Sequence, residues 1–291
     1  MSPALRRALI AITIILALAG ALAFAGSDNG QQINGIPIYA LCILLAFAVN
    51  WMAYIPAILN QTEKYFDLTG AITNISLPLV ALILSPVVDA RSWLLFALIA
   101  IWAGRLGMFL FRRIQADGFD SRFVEMKKNP PRFFITWSLQ ALWSCFSLAA
   151  GLAAITAVEK QPLGLIGLIG LLVWIAGFAI EVIADQQKSQ FRKEPANRGQ
   201  FIQSGLWAWS RHPNYFGEIV LWFGIAIIAS PVLSGWQWAT MISPIFVIFL
   251  LMRISGLPQL ETKADKKWGG QAEYEAYKAR TPVLIPRPPA K

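Results

Sequence analysis

Eight apolar blocks of bilayer length set the terms for this chain. A helix needs roughly 20 apolar residues in a row to cross the hydrocarbon layer. Runs of that kind occupy 8–26, 37–59, 69–88, 92–111, 133–156, 163–184, 216–233 and 238–257. Transmembrane barrel strands are shorter and alternate, and these blocks do neither. Only 14% of residues are charged, too few to clothe a soluble domain of this size. The reading is all-α: a polytopic membrane bundle of seven to eight transmembrane helices forming a single integral-membrane domain over 1–291. Loops 112–132 and 185–215 and the tail 258–291 are expected to form a cytoplasmic cap. Block 8–26 follows Arg6 and Arg7 as a signal peptide would. It is long and ends in no small-x-small cleavage site, so it is read as a retained first helix.

A net charge of +9 would suggest a nucleic-acid surface if the cations were clustered without regard to the blocks. Their placement says otherwise. With both termini cytoplasmic, only Arg91 and Lys160 of the 25 basic residues fall in outer loops, and Arg105 lies in a span; all the others are inside. That asymmetry is the positive-inside rule, so the charge reports topology and no nucleic-acid partner is expected. Cys42 and Cys145 both sit in spans, and Cys and His never cluster. They read as small buried hydrophobes, with neither a disulfide framework nor a metal site. In the tail, residues 271–280 read as a short polar helix that the following prolines end.

Chemistry that needs a soluble cofactor belongs where the polar loops are. At the exit of the sixth span, Glu181, Asp185, Lys188 and Arg192 are spaced by four, three and four residues, which puts them on one helix face. Acids that accept from hydroxyls, followed by cations that hold phosphate, would make a cofactor groove. An intrahelical ion-pair ladder at the interface fits the same spacing. Asn197, Arg198 and Gly199 follow, and then "SRHPNYFGEI" with the only histidine, His212. Pro213 suits a first helical turn. The amides near Asn214 and Tyr215 would then face out of a helix start, a geometry that favours anions, with Arg211 and His212 beside it and Glu218 one turn deeper. The alternative is a topogenic turn with one interfacial histidine. At the exit of the second span, Glu63, Tyr65 and Asp67 could polarise a carbonyl if an acid were kept protonated by burial, or form a solvated loop. Arg105 needs either a buried partner or a route to the cytoplasmic face.

The stretch "QFRKEPANRGQFIQSGLWAWSRHPNYFGEIVLWFG" resembles the C-terminal signature of the steroid 5-alpha-reductase superfamily, in its bacterial membrane branch. "EKYFDLTG", "WAGRLGMFLFRR", "DSRFVEMKK" and "RISGLPQLE" resemble that branch as well, so the likeness covers most of 60–285. The resemblance implies an NADPH-dependent reductase of a carbon–carbon double bond conjugated to a carbonyl. The substrate would be a lipophilic, steroid-like or isoprenoid enone, the setting a bacterial inner membrane, and the enzyme a monomer. It implies a carbonyl-side role for Glu63, with Tyr65 or Asp67 standing in for a tyrosine whose place Trp102 takes. It implies cofactor contacts for Arg105, Glu181, Asp185, Arg192, Asn214, Glu218 and Arg253, and more loosely for Arg198. The signature block adds Trp207 and Ser210, and Glu261 stands where the steroid enzymes carry a tail tyrosine. Membrane methyltransferases that modify isoprenylcysteine or phospholipid use a similar Gly…Arg-His-Pro-x-Tyr…Glu block for S-adenosylmethionine, which keeps that class open.

Overall fold

The computed structural model describes residues 3–120, 122–254 and 256–289. Ser121 and Ser255, each inside a family-like motif, and the terminal residues 1–2 and 290–291 lie outside them. Among the described residues there are eight helical segments long and apolar enough to cross a membrane: Leu5–Ser27, Ile38–Leu59, Phe66–Leu84, Ala90–Ala116, Pro130–Thr156, Gly164–Lys193, Pro213–Val232 and Gly235–Trp268. The polytopic all-α architecture is therefore as the hydropathy blocks require. The secondary structure runs α1 (Pro3–Ser27), a hairpin of β1 (Gln32–Ile33) and β2 (Ile36–Pro37), α2 (Ile38–Leu59), α3 (Phe66–Leu84), α4 (Ala90–Asp117), α5 (Pro130–Thr156), α6 (Gly164–Lys193), α7 (Pro213–Ala229), α8 (Ile242–Phe249), α9 (Leu257–Trp268) and α10 (Ala272–Arg280). The hairpin turns on Asn34 and Gly35, both at positive φ, as a tight two-residue turn demands.

The chain packs as two compact units: residues 1–167 with 226–243, and residues 168–225 with 244–291. The first is organised around α5. In its most apolar stretch 78% of residues are buried, against 28–39% for α1 to α4. Small residues make this possible: Ser147, Ala149, Ala150, Gly151, Ala153 and Ala154 are all buried, so neighbouring helices approach closely. Polar residues inside this unit satisfy one another. Gln140 donates to Asn50 at 3.0 Å and to the Phe66 carbonyl at 2.9 Å, and Asn50 donates to Thr73 at 3.2 Å. Cys42 and Cys145 are free and fully buried.

Two departures from the sequence reading have physical causes. The block 238–257 is not one α-helix. It is a 3-10 stretch (Gly235–Met241), then α8, then a π-helical turn (Leu250–Ile254), and the chain restarts as α9. A capping box between Ser234 and Gln237 starts the segment, and hydropathy is blind to which hydrogen-bond register follows. Arg91, read as a loop cation, is 1% exposed in the first turn of α4. Its guanidinium donates to the Ile228 carbonyl at the end of α7 and, at 2.8 Å, to the Pro162 carbonyl, satisfying acceptors that a helix end leaves open.

In the second unit α6 and α7 touch backbone to backbone. A Cβ added to Gly217 would lie 2.6 Å from the Glu181 amide nitrogen. One on Gly224 would lie 2.6 Å from that of Trp174, and one on Gly177 would lie 2.7 Å from the Gly217 carbonyl oxygen. Gly217 and Gly224 are seven residues apart, two helical turns, so they keep the same face on α6. Gly217→Val should therefore lower the thermal stability of the purified protein by several degrees, an overpacking penalty of about 1–3 kcal/mol, while Phe223→Leu, at an exposed position of α7, should shift the melting point less.

Candidate functional site

The crossing of α6 and α7 determines what the polar residues at the end of α6 and the start of α7 can reach. With Gly217 seated on Glu181, Asp185 one turn further along α6 meets Asn214 in the first turn of α7, and Asn214 Nδ2 donates to Asp185 Oδ1 at 3.1 Å. Glu181 and Asp185 are both buried, and so is His212. α6 then runs on past the apolar layer to Lys193, so Lys188 and Arg192 are held on a rigid helix.

The connection from α6 to α7 folds back on this helix. Trp207 is buried and donates its indole N–H to the Ala184 carbonyl at 3.0 Å, and Lys188 Nζ sits 4.2 Å from the centre of the Trp207 ring. The tail closes over the same stretch. Tyr277 donates to the Trp207 carbonyl at 2.7 Å. Ser210 Oγ donates to the Leu284 carbonyl at 2.8 Å, and the Arg211 amide donates to the Pro282 carbonyl at 2.9 Å. Phe201 packs among Trp268, Tyr274 and Tyr277 with ring centroids 5.2–5.8 Å apart.

These elements enclose a cavity of about 310 Å³. One part of its wall is aromatic: Phe191, Phe201, Trp207, Trp268, Tyr274 and Tyr277. Another is cationic: Lys188, Arg192, Arg211, Lys263 and Lys267. Glu261 is the acid among the lining residues, and it bridges two donors, taking Arg211 Nη1 on one oxygen at 2.5 Å and His212 Nε2 on the other at 2.6 Å. Burial holds the His212 imidazole below its ordinary pKa, with the Glu261 hydrogen bond opposing that in part. Burial, and then the charges of Asp265 and Glu261, push the Tyr274 phenol up to about 12. Three buried polar atoms along 211–214 have no protein partner: Arg211 Nε, His212 Nδ1 and Asn214 Oδ1. Aromatic faces, clustered cations and the unpartnered Arg211 Nε and His212 Nδ1 are together a set suited to a nucleotide with phosphates.

Of the residues singled out in the sequence, Lys188, Arg192, Trp207, Arg211, His212 and Glu261 line this one cavity. Tyr215 lies behind it, stacked on His212 with centroids 5.7 Å apart. Glu181, Asp185, Asn214 and Glu218 lie along the α6–α7 pair and do not line it. Ser210 and Asn197 brace loops, Asn197 by donating to the Phe191 carbonyl at 3.0 Å. Arg198 and Arg253 are exposed. Arg105 is in the other unit, on α4, with its guanidinium 5.5 Å from the Phe109 ring centre. The aromatic wall from Phe201, Trp268, Tyr274 and Tyr277 was missed; its one signal was the spacing of Tyr274 and Tyr277 by three on a short helix, which brings both to one face.

Glu63, Tyr65 and Asp67 fall in the first unit and do not point together. Glu63 is buried, and its oxygens accept from the Asp120 amide at 2.9 Å and from Lys127 Nζ at 2.5 Å. Tyr65 is 57% exposed and stacks on Phe111 with centroids 6.2 Å apart. Asp67 faces Arg113 at 3.9 Å. The segment that carries Asp120 and Lys127 is pinned by Phe123, which packs with Phe66, Phe133, Trp137 and Ala57. Burial raises the Asp120 carboxyl, but Arg122 bonded to it at 2.6 Å takes it below its usual range.

A family model described as protein of unknown function (DUF1295) matches residues 53–281. An uncharacterized protein of Schizosaccharomyces pombe is 22% identical over 69% of this chain and 65% of its own length. A steroid 5-alpha-reductase of Arabidopsis thaliana is 31% identical over 40% of each chain. A probable O-methyltransferase of Ustilaginoidea virens is 23% identical over 33% of this chain and 37% of its own. The chain thus spans under two thirds of the length of these relatives. No solved structure matches it. The likeness to steroid 5-alpha-reductases read from the motifs is present in these comparisons.

The His212 environment gives a pH signature. Its folded-state pKa is depressed, so the unfolded chain binds that proton more readily; the associated stability is fully present above about pH 6.5 and is lost as pH falls through the lower folded value. Between pH 7.5 and 5.5 the melting temperature of the wild type should fall more steeply than that of His212→Gln.

Proposed function

This chain belongs to the DUF1295 family, and on that premise we propose that it is an NADPH-dependent membrane reductase of the carbon–carbon double bond in a lipophilic enone. The observation that carries the reading is the cavity of the second unit, where aromatic faces and five cations come together. A dinucleotide with a pyrophosphate and a 2′-phosphate needs both. The competing reading, an S-adenosylmethionine-dependent methyltransferase, is less well served, because that cofactor carries a sulfonium, an ammonium and a single carboxylate but no phosphate, and five cations exceed what one carboxylate needs. The steroid 5-alpha-reductase among the relatives supports the reductase class. The charge asymmetry of the loops supports a cytoplasmic position for the cavity.

In this reading Trp207, Phe201 and Tyr274 offer faces for the base. Arg192, Arg211, Lys263 and Lys267 neutralise phosphates, and Asp185 with Asn214 orients the start of α7. When bound, NADPH supplies the hydride for the β-carbon of the enone, and water supplies the proton for the α-carbon. On the carbonyl side, Glu63 was expected to donate to the substrate oxygen. Its two oxygens instead accept, from an amide and an ammonium. Within the first unit the group able to donate is the Lys127 ammonium, with Glu63 as its anchor, and a positive charge of that kind is what a developing enolate requires.

Titrating purified protein with NADPH and with S-adenosylmethionine separates the classes. NADPH should raise the melting temperature and S-adenosylmethionine should leave it unchanged; the reverse result overturns the reductase reading. Arg192→Ala should weaken NADPH binding by about tenfold, the loss of one charge-assisted contact of about 1.5 kcal/mol. Glu63→Gln should slow enone reduction while leaving the NADPH dissociation constant within about twofold of wild type.

A further inference from the structure

The ion group Arg211–Glu261–His212 does more than line the cavity. One carboxylate spends its two oxygens on two different donors, Arg211 Nη1 and His212 Nε2. Two convergent donors on two oxygens of one anion is the way a guanidinium and a second donor grip a phosphate. Both donors are fixed from behind. The Arg211 amide is tied to Pro282 at 2.9 Å, the His212 amide to Ser210 Oγ at 3.1 Å, and the His212 ring is stacked on Tyr215. The anion is the less confined partner. The Glu261 side chain is 26% exposed, against 7% for His212, and it projects from α9, a helix that begins just after the π-helical turn. Glu261 is the carboxylate among the described lining residues of a wall with five cations, and it sits on two of the donors an incoming anion would use.

We propose that Glu261 is a built-in competitor: it occupies the donors of Arg211 and His212 until a phosphate of the incoming nucleotide replaces it. This rests on the nucleotide reading of the cavity. Phosphate and carboxylate repel each other and share the same donors, so the carboxylate must leave when the phosphate arrives. Binding is then an exchange of one anion for another. The free protein does not hold those two donors bare, and a neutral ligand, which cannot displace the carboxylate, is turned away.

The prediction has an unusual sign for a pocket residue. Glu261→Gln, which keeps the shape and removes the charge, should bind NADPH at least about fivefold more tightly than wild type, the lower end of a typical coupling between competing sites. Glu261→Ala should change affinity in the same direction, and Glu261→Asp, which keeps the charge, should stay near wild type. Dissociation constants are read by titrating each full-length protein with NADPH and with NADH, after melting curves show that the variants fold. An equal gain for both nucleotides assigns the exchanged phosphate to the pyrophosphate; a gain confined to NADPH assigns it to the 2′-phosphate. Weaker or unchanged NADPH binding by Glu261→Gln and Glu261→Ala, with wild type binding normally, overturns the competitor while leaving the nucleotide pocket standing. Absence of nucleotide binding by wild type and variants alike overturns both.

Discussion

The contact between the backbones of α6 and α7 is the constraint on which the candidate site depends. In a membrane, helices gain little from burying apolar side chains, since lipid is equally apolar; close approach and dispersion carry association. Gly177, Gly217 and Gly224 remove the side chains that would keep the two helices apart. Once the crossing is fixed, Asp185 must face Asn214, and the polar end of α6 must lie alongside the start of α7. Burying Asp185 is costly unless a polar neighbour answers it, and the same close crossing delivers Asn214. Fold and site are therefore one arrangement here, because the residues that pack the helices are interleaved with those that carry charge.

The first unit shows a different economy. Its interior is built on small residues of α5 and on a chain of amides and hydroxyls, Gln140, Asn50 and Thr73, that use up one another's hydrogen bonds. Glu63 is treated the same way, enclosed by an amide and an ammonium from a segment that Phe123 anchors in an aromatic cluster. A carboxylate so enclosed is an acceptor that holds its lysine in place. An acid's position in sequence says nothing of whether it will donate or accept; that is decided by which groups arrive beside it.

The spanning helices were legible because the bilayer imposes a length and a polarity that no tertiary contact can override. The helix that carries Glu181, Asp185, Lys188 and Arg192 was legible for a related reason, since α6 continues past the apolar layer without a break, but of that expected face Lys188 and Arg192 line the cavity and Glu181 and Asp185 do not. Where hydrogen-bond register changes at constant hydropathy, as from Gly235 to Ile254, the sequence pattern was uninformative. Arg91 was misplaced because a charge at a helix start reads as exposed, and only the fold brings the carbonyls of Pro162 and Ile228 to it. Phe201, Trp268 and Tyr277 were invisible as a wall since they come from three separate segments, and aromatic residues near an interface have an ordinary explanation of their own. The competition for Arg211 and His212 was equally hidden: Glu261 stands out in sequence only as a departure from a family pattern, not as an anion already seated.

The part of the wall supplied by Tyr274 and Tyr277 also orders events during synthesis. Residues 272–287 are translated after the eight described membrane-length helices, yet the carbonyls of Pro282, Val283 and Leu284 hold Ser210 and Arg211, and Tyr277 holds Trp207. Insertion into the bilayer can thus be complete while the pocket is still open on one side. The nascent chain passes through a stage in which these helices are made but the cavity lacks one of its walls, and it acquires that wall once residues 272–287 leave the ribosome.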